Sequence, residues 1–483
     1  HIIGIDTPIY LPDIQESRTL LYADWIASGR LYGPIEQHMR ETVGPYVANT
    51  HTETTLTGQA MTEAYHTART VIKNHVNAGK QDCLFLTGNG MTAAVNKLQR
   101  LLGLRIPESA YPRSSGTVDE PDPGRPVVLI THMEHHSNQI TWEECNVDLR
   151  IVPHNPETGL PDLDELEKMA RHYRSRPLLI GAFTAGSNVT GITTPYHAMS
   201  AIMHRYGGKC FVDFAAAAPY VPIDMHPEDP GEHLDAVMFS PHKFLGGPGT
   251  SGVLIMNSEL YHNTIPDIPG GGTVRWTNPY GAHIYLDDIE MREDGGTPGF
   301  LQAIRIALTL QLKERMDPVR IREREEELLA ILYGILKTRD DIFILEEHNR
   351  RRLGVISFFT RGVHHNLIVR LLNDRFGIQT RGGCSCAGTY GHILFHINKP
   401  SSIKIADMIS EGDLSEKPGW VRVSLHPTMT SEEAAMIGNA IVAVVQNAGT
   451  WGRQYRFDKH TGDFVRTRGN GPVIPDVIDT IRW

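Results

Sequence analysis

Cysteine is scarce in this chain. Five residues among 483 (Cys83, Cys145, Cys210, Cys384 and Cys386) are too few to staple a protein of this length, which excludes a disulfide scaffold and predicts reduced thiols. Long apolar runs are missing too. None reaches the length of a membrane span, and the first residues carry Asp6, Pro8 and Asp13 where a secretory leader has a basic stretch and then an apolar one. A cytoplasmic location with no membrane partner is the resulting expectation. The initial histidine in place of methionine suggests that the native start is missing. Basic charge is in deficit, with 46 Lys and Arg against 56 Asp and Glu and a net charge of −10. With no local basic patch, a nucleic-acid partner is not expected. The Gly-Lys-Ser/Thr order that opens a phosphate-loop helix is absent, and no repeat or low-complexity tract interrupts the chain. At 40% hydrophobic and 21% charged residues, what remains is a soluble globular composition able to bury a substantial core in two or three units.

Short apolar runs alternate with longer amphipathic ones. The short runs are Cys83-Leu84-Phe85-Leu86, Val127-Val128-Leu129-Ile130, Leu149-Arg150-Ile151-Val152, Leu178-Leu179-Ile180-Gly181, Cys210-Phe211-Val212 and Val237-Met238-Phe239. Helical patterns lie between them, around residues 91–104, 162–172 and 194–206, which is the rhythm of a mainly parallel sheet covered by helices, an α/β architecture. After Gly299 a helical pattern runs to about Lys337. Strands at 341–347 and 354–360, a helix at 365–375 and a strand at 419–425 then predict a smaller α+β domain. The boundaries drawn are an N-terminal segment 1–45 contributing to the small domain, a large domain 46–299, the small domain 300–450 and an extension 451–483. Insertions are expected from Ser109 to Arg125 and from Ile397 to Pro418, the latter as a loop with a short helix, and the polar tail from Arg453 as an irregular extension.

The densest chemistry follows the run Ala236-Val237-Met238-Phe239. Ser240-Pro241-His242-Lys243 leaves the sheet where open α/β sheets place ligands, and Gly246, Gly247 and Gly249 follow, permitting close backbone approach. Read as an extended segment, Ser240 and His242 face one side and Lys243 the other. Thirty residues earlier, Asp213 ends another apolar run. An amine, a buried anion and nearby donors are what a pyridoxal cofactor needs for its aldehyde, its pyridinium nitrogen and its phosphate. The glycines and Thr92 in Thr87-Gly88-Asn89-Gly90-Met91-Thr92 open a helix and form either an anion site or an ordinary helix start. Glu134-His135-His136-Ser137-Asn138 leaves the end of a strand, where an imidazole could stack on a flat ring. Asn188, in Ser187-Asn188-Val189-Thr190-Gly191, reads either as a donor to a phenolate oxygen or as a turn asparagine.

In that order and spacing, these segments together with Gly295-Gly296-Thr297-Pro298 resemble the class V aminotransferase group of fold-type I pyridoxal phosphate enzymes, and within it the cysteine desulfurase/selenocysteine lyase branch. The resemblance covers roughly residues 20–445. It implies a large domain with a mainly parallel seven-stranded sheet and a smaller α+β domain. It implies Lys243 as the lysine that joins the cofactor and shuttles protons, Asp213 on the pyridinium nitrogen, His135 on the ring face and Asn188 near the ring oxygen and the substrate. Met91 through its backbone, Thr92, Ser240 and His242 would hold the phosphate. Thr273 resembles a residue that reaches the neighbouring subunit's phosphate, which implies a homodimer, and Arg422 an arginine that clamps a substrate carboxylate.

Cys386, in Arg381-Gly382-Gly383-Cys384-Ser385-Cys386-Ala387-Gly388, falls where that branch carries its nucleophile. The implied activity is release of alanine from cysteine with a persulfide left on Cys386, for transfer to a sulfur-acceptor protein. Two other readings of the loop stand beside this one: inert thiols, or half of a metal site with His392 and His396. No metal is otherwise expected. Ala216 stands where the branch usually has glutamine or histidine, removing one contact to the ring oxygen. The alternative activity is another class V reaction on a small amino acid: aminotransfer, C–S β-elimination or epimerisation.

Overall fold

The computed structural model describes residues 1–50, 52, 54–110, 122–467 and 471–472. The apolar runs of the first half become β1 (Asp82–Thr87), β2 (Val127–Ile130), β3 (Asp148–Ile151), β4 (Leu179–Thr184), β5 (Lys209–Asp213), β6 (Ala236–Phe239) and β7 (Gly252–Asn257). They form one seven-stranded sheet in the order β1-β7-β6-β5-β4-β2-β3. All neighbours pair in parallel except at β7, which runs antiparallel to both β6 and β1. Every residue of β2, β4 and β6 is buried, which is why these strands read as unbroken apolar runs instead of alternating ones.

The chain divides into two compact units. The first comprises His1, residues 28–187 and residues 193–318, and contains the seven-stranded sheet. Its longer helices are α1 (Leu56–His75), α2 (Gly90–Leu101), α3 (His136–Glu143), α4 (Leu163–Tyr173), α5 (Tyr196–Arg205) and α6 (Phe300–Met316). The sequence reading passed over α1, although its buried residues Met61, Tyr65, Ala68 and Ile72 recur at helical spacing. Met61, Tyr65 and Ala68 share an apolar cluster with Ala303, Ile304 and Ala307 of α6. That packing places residues 300–316 in the first unit, where the sequence boundary had been drawn at 299.

The second unit comprises residues 2–27, 188–192 and 319–483, so the N-terminal contribution ends at Ala27, not at residue 45. The long helical pattern after Gly299 is two helices. Asp317 has φ of +65° and Pro318 begins α7 (Pro318–Leu336), since proline disfavours helical backbone in the residue before it and starts a helix without a wasted N–H. Strands β8 (Ile342–Ile344), β9 (Val355–Thr360), β10 (Arg381–Gly383) and β11 (Trp420–Ser424) form an antiparallel sheet in the order β8-β9-β11-β10. Helices α8 (His365–Phe376), α9 (Lys399–Ser410) and α10 (Ser431–Trp451) belong to this unit. Leu21–Tyr22 pairs in parallel with Ile378–Gln379. The 397–418 insertion is mostly α9, capped by Asn398, whose side chain accepts the Ser401 N–H at 3.0 Å. The tail is more regular than its composition predicts. Tyr455–Asp458 and Asp463–Arg466 form a hairpin, anchored by Tyr455 Oη donating to Asp374 (2.8 Å) and by Arg466 pairing with Asp13 (2.5 Å). The expected insertion at 109–125 and the end of the tail lie partly outside the described residues. Among the described residues no helix is long and apolar enough to cross a membrane.

Glu325 on α7 is buried and accepts the Gly354 N–H at 2.8 Å. Burial pushes its pKa up to about 8. The folded state therefore keeps a proton that the unfolded chain loses near pH 4.5, and stability falls as pH rises from there to about 8. Glu325→Gln retains the acceptor and removes the titration. In thermal melts its advantage over the parent protein should be small at pH 5 and grow through pH 8.

Candidate active site

β6 stops at Phe239, and Pro241–Lys243 form a single tight turn in place of the extended segment expected from the sequence. Proline at the first turn position, with its fixed φ and missing N–H, favours this outcome. Ser240 Oγ accepts the Met91 N–H at 2.8 Å, which ties the turn to the start of α2. Gly90, with φ of +63°, lies so close that a Cβ there would be 2.6 Å from His242 Cε1 and 2.8 Å from Ser240 Oγ. The positive end of α2, a hydroxyl and an imidazole thus form a cradle suited to an anion, where a side chain at residue 90 would be strained and would crowd both neighbours. On the neighbouring strand, β5 ends at Asp213, whose buried Oδ1 accepts the Ala215 N–H at 2.7 Å. Burial pushes this carboxyl up to about pKa 6, with the Lys243 charge pulling the other way.

His135 caps α3, its Nδ1 accepting the Ser137 N–H at 3.1 Å, so a neutral ring carries its proton on Nε2. Ser137 Oγ lies 2.6 Å from Thr92 Oγ1, and by this contact two separately expected segments, 87–96 and 134–138, meet. Behind them Glu134 is buried. It accepts from Thr131 Oγ1 (2.6 Å), Asn138 Nδ2 (2.7 Å) and Thr184 N (3.0 Å), and burial pushes its pKa up to about 7. Thr273 is not part of this group as described. Its hydroxyl is buried in its own loop, donating to Gly270 O at 2.7 Å.

The second unit gathers the remaining expected residues. Arg422 on β11 is buried, with Nη2 donating to Asp24 (2.7 Å) and Nη1 to the Asn188 carbonyl (2.9 Å), while Nε has no hydrogen-bond partner among the described residues. The other Asp24 oxygen accepts from Arg381 Nε at 2.9 Å. Asn188 Nδ2 donates to the Ser385 carbonyl at 2.7 Å, and its buried Oδ1 has no partner among the described residues. Ser385 and Cys386 both have positive φ, +51° and +57°, an uncommon conformation for residues with a Cβ. The Cys386 thiol is exposed and Cys384 half-buried beside a cavity of about 270 Å³ whose lining includes His364, His365, Arg381 and Lys417. Cys83, Cys145 and Cys210 are buried, and burial raises each of their pKa values, so their reactivity is suppressed. His392 lies 2.8 Å from Gly388 O through Nδ1 and 2.8 Å from Ser402 Oγ through Nε2.

Two residues of these clusters escaped the sequence reading. Asp24 lies two residues beyond the strand Leu21–Tyr22, which is too short to register as periodicity, although a carboxylate just past a strand end follows the logic that found Asp213. Glu134 was visible only as part of the histidine motif; its role depends on Thr184, fifty residues away.

Residues 21–437 match the family model "Aminotransferase class-V". A probable cysteine desulfurase from Staphylococcus epidermidis is 27% identical over 386 residues, covering 79% of this chain and 86% of that relative; the Staphylococcus aureus counterpart gives the same figures. A cysteine desulfurase structure from Thermococcus onnurineus NA1 aligns with TM-score 0.70 and 23% identity, covering 92% of this chain and 99% of the other. One from Escherichia coli aligns at 0.68 and 21%, covering 88% and 95%. The structural matches establish the fold, and the family match over most of the length establishes the lineage: the chain belongs to the class V aminotransferase family of pyridoxal phosphate-dependent enzymes.

Proposed function

We propose that this enzyme is a cysteine desulfurase, releasing alanine from cysteine and retaining the sulfur on Cys386. The observation that carries the cofactor half of this reading is the meeting of Lys243, Asp213 and the Gly90 cradle at adjacent strand ends of one unit. These residues fit pyridoxal phosphate. The Met91 N–H, Thr92, Ser240 and His242 suit its phosphate, Asp213 its ring nitrogen, Lys243 its aldehyde, His135 its ring face and Asn188 its ring oxygen. When bound, the cofactor supplies an electron sink for bonds broken at the substrate's α-carbon and beyond.

Around that chemistry the chain's own groups have separate tasks. Arg422, with a buried Nε lacking a partner, receives the substrate carboxylate. Lys243 Nζ removes and returns the α-proton. The Cys386 thiolate takes the substrate sulfur as the C–S bond breaks, and the carbon left behind is protonated. The sum is balanced: cysteine plus one thiol gives alanine plus one persulfide. Exposure of Cys386 at the cavity favours it over the three buried thiols, and leaves the persulfide open to a sulfur-acceptor protein. A homodimer and a cytoplasmic location complete the proposal.

Incubation of cofactor-saturated protein with L-cysteine and a thiol reductant, quantifying alanine, pyruvate and sulfide together, tests it directly. Alanine matched by sulfide supports desulfuration. Pyruvate without alanine overturns it in favour of C–S elimination. Cys386→Ala should abolish alanine formation while the visible absorbance of bound cofactor persists, and continued turnover would remove Cys386 from the mechanism. Gly90→Ala places a methyl group in the cradle at an unfavourable φ, and should weaken cofactor binding by about tenfold or more, equivalent to about 1.4 kcal/mol, in an absorbance titration. Lys243→Ala should eliminate turnover and the spectral signature of lysine-bound cofactor.

A further inference from the structure

At the opposite ends of the strands from the cofactor residues, the first unit gathers His204, His233 and Asp235, each offering a ligand atom within 4.8 Å of the others. His204 lies in the last turn of α5, His233 follows the turn Pro230–Glu232, and Asp235 immediately precedes β6. Lys209 marks this end of β5 and Asp213 the other, four residues or about 13 Å along the strand, so the cluster is separate from the anion cradle.

Hydrogen bonding dictates which nitrogens are available. His204 Nδ1 lies 2.8 Å from Gly231 O and His233 Nδ1 lies 2.7 Å from Pro230 O. Carbonyl oxygens only accept, so both Nδ1 atoms carry protons, which leaves Nε2 as the ligand atom each ring can offer. Both Nε2 atoms face a carboxylate: His204 Nε2 is 2.8 Å from Asp235 Oδ2, and His233 Nε2 is 3.7 Å from Oδ1. Asp235 is fully buried; its Oδ2 also accepts the Cys210 N–H at 2.8 Å. Its Oδ1 is paired with Lys209 Nζ at 3.0 Å, on a lysine side chain that is 29% exposed. His226 stacks near His233 with its Nε2 committed to Asp82 at 2.6 Å, which leaves it outside the ligand set.

We propose that His204 Nε2, His233 Nε2 and Asp235 bind a divalent transition ion of the zinc class. Two imidazoles whose other N–H is tethered to a backbone carbonyl, plus a carboxylate, are the donors such ions select, with the orienting outer contacts already built. Hard ions such as magnesium prefer all-oxygen sites. Three protein ligands leave a fourth position for water, and the ion ties the end of α5 to the turn before β6.

The test uses cofactor-loaded protein carrying Cys384→Ser and Cys386→Ser, so that thiols in the exposed loop bind no metal, dialysed against chelator and titrated with Zn²⁺ or Co²⁺. One equivalent should bind, with the visible absorption of four-coordinate Co²⁺. His204→Gln and His233→Gln should each weaken binding by more than about a hundredfold, beyond what loss of an outer contact produces. Absence of a stoichiometric ion, or binding unmoved by either substitution, overturns the site. Should the variants fail to fold, melts of the parent protein decide: Zn²⁺ should raise the melting temperature and equimolar Mg²⁺ should not, and equal effects of the two ions overturn the proposal.

Discussion

A parallel sheet delivers its strands to one edge but leaves the connecting segments to find their own positions, and here a single buried carboxylate organises part of that edge. Glu134 accepts from the exit of β2, from the last residue of β4 and from α3 at once. His135 is its immediate neighbour in sequence and begins α3, so the imidazole's position follows from the carboxylate's. Ser137 passes that constraint to Thr92 and hence to α2, whose second residue binds Ser240. Removing one acceptor would leave several buried donors unsatisfied, which is costly where no water replaces it.

The second unit uses the same device with opposite charges. Asp24 holds Arg422 with one oxygen and Arg381 with the other. Arg381 begins β10, which leads into the thiol loop, while Arg422 also holds the carbonyl of Asn188, whose amide binds that loop at Ser385. One carboxylate thus sets both the orientation of a buried guanidinium and the approach of the segment bearing Cys386.

The strands of the large sheet were legible because each is buried on both faces, leaving continuous apolar runs bounded by glycine, proline and polar residues. Lys243, Asp213 and Ser240 drew attention because strand ends are where such sheets bind ligands, and Met91 because it opens a helix; the structure joins Met91 to Ser240 by a hydrogen bond. Local geometry was harder to read. Pro241 converted an expected extended segment into a turn, and Pro318 divided one expected helix into two. Helix α1 was legible in the spacing of Met61, Tyr65, Ala68 and Ile72 but lies ahead of the first apolar strand, outside the strand-helix alternation that drew attention. The tail hairpin depends on Asp13 and Asp374, partners remote in sequence that no local pattern reveals.

The second unit is assembled from three stretches of chain: residues 2–27, 188–192 and 319–483. Its parallel pair joins Leu21–Tyr22 to Ile378–Gln379, and Asp24 waits for Arg422. During synthesis the N-terminal stretch therefore emerges more than three hundred residues before its partners, while every strand of the large sheet is already complete. Contacts of such sequence separation form late and slowly. The nascent chain must carry Leu21–Tyr22 and Asp24 without these partners through most of translation, and a chain interrupted before residue 378 would contain every strand of the large sheet yet lack both the strand that pairs with Leu21–Tyr22 and Cys386 itself.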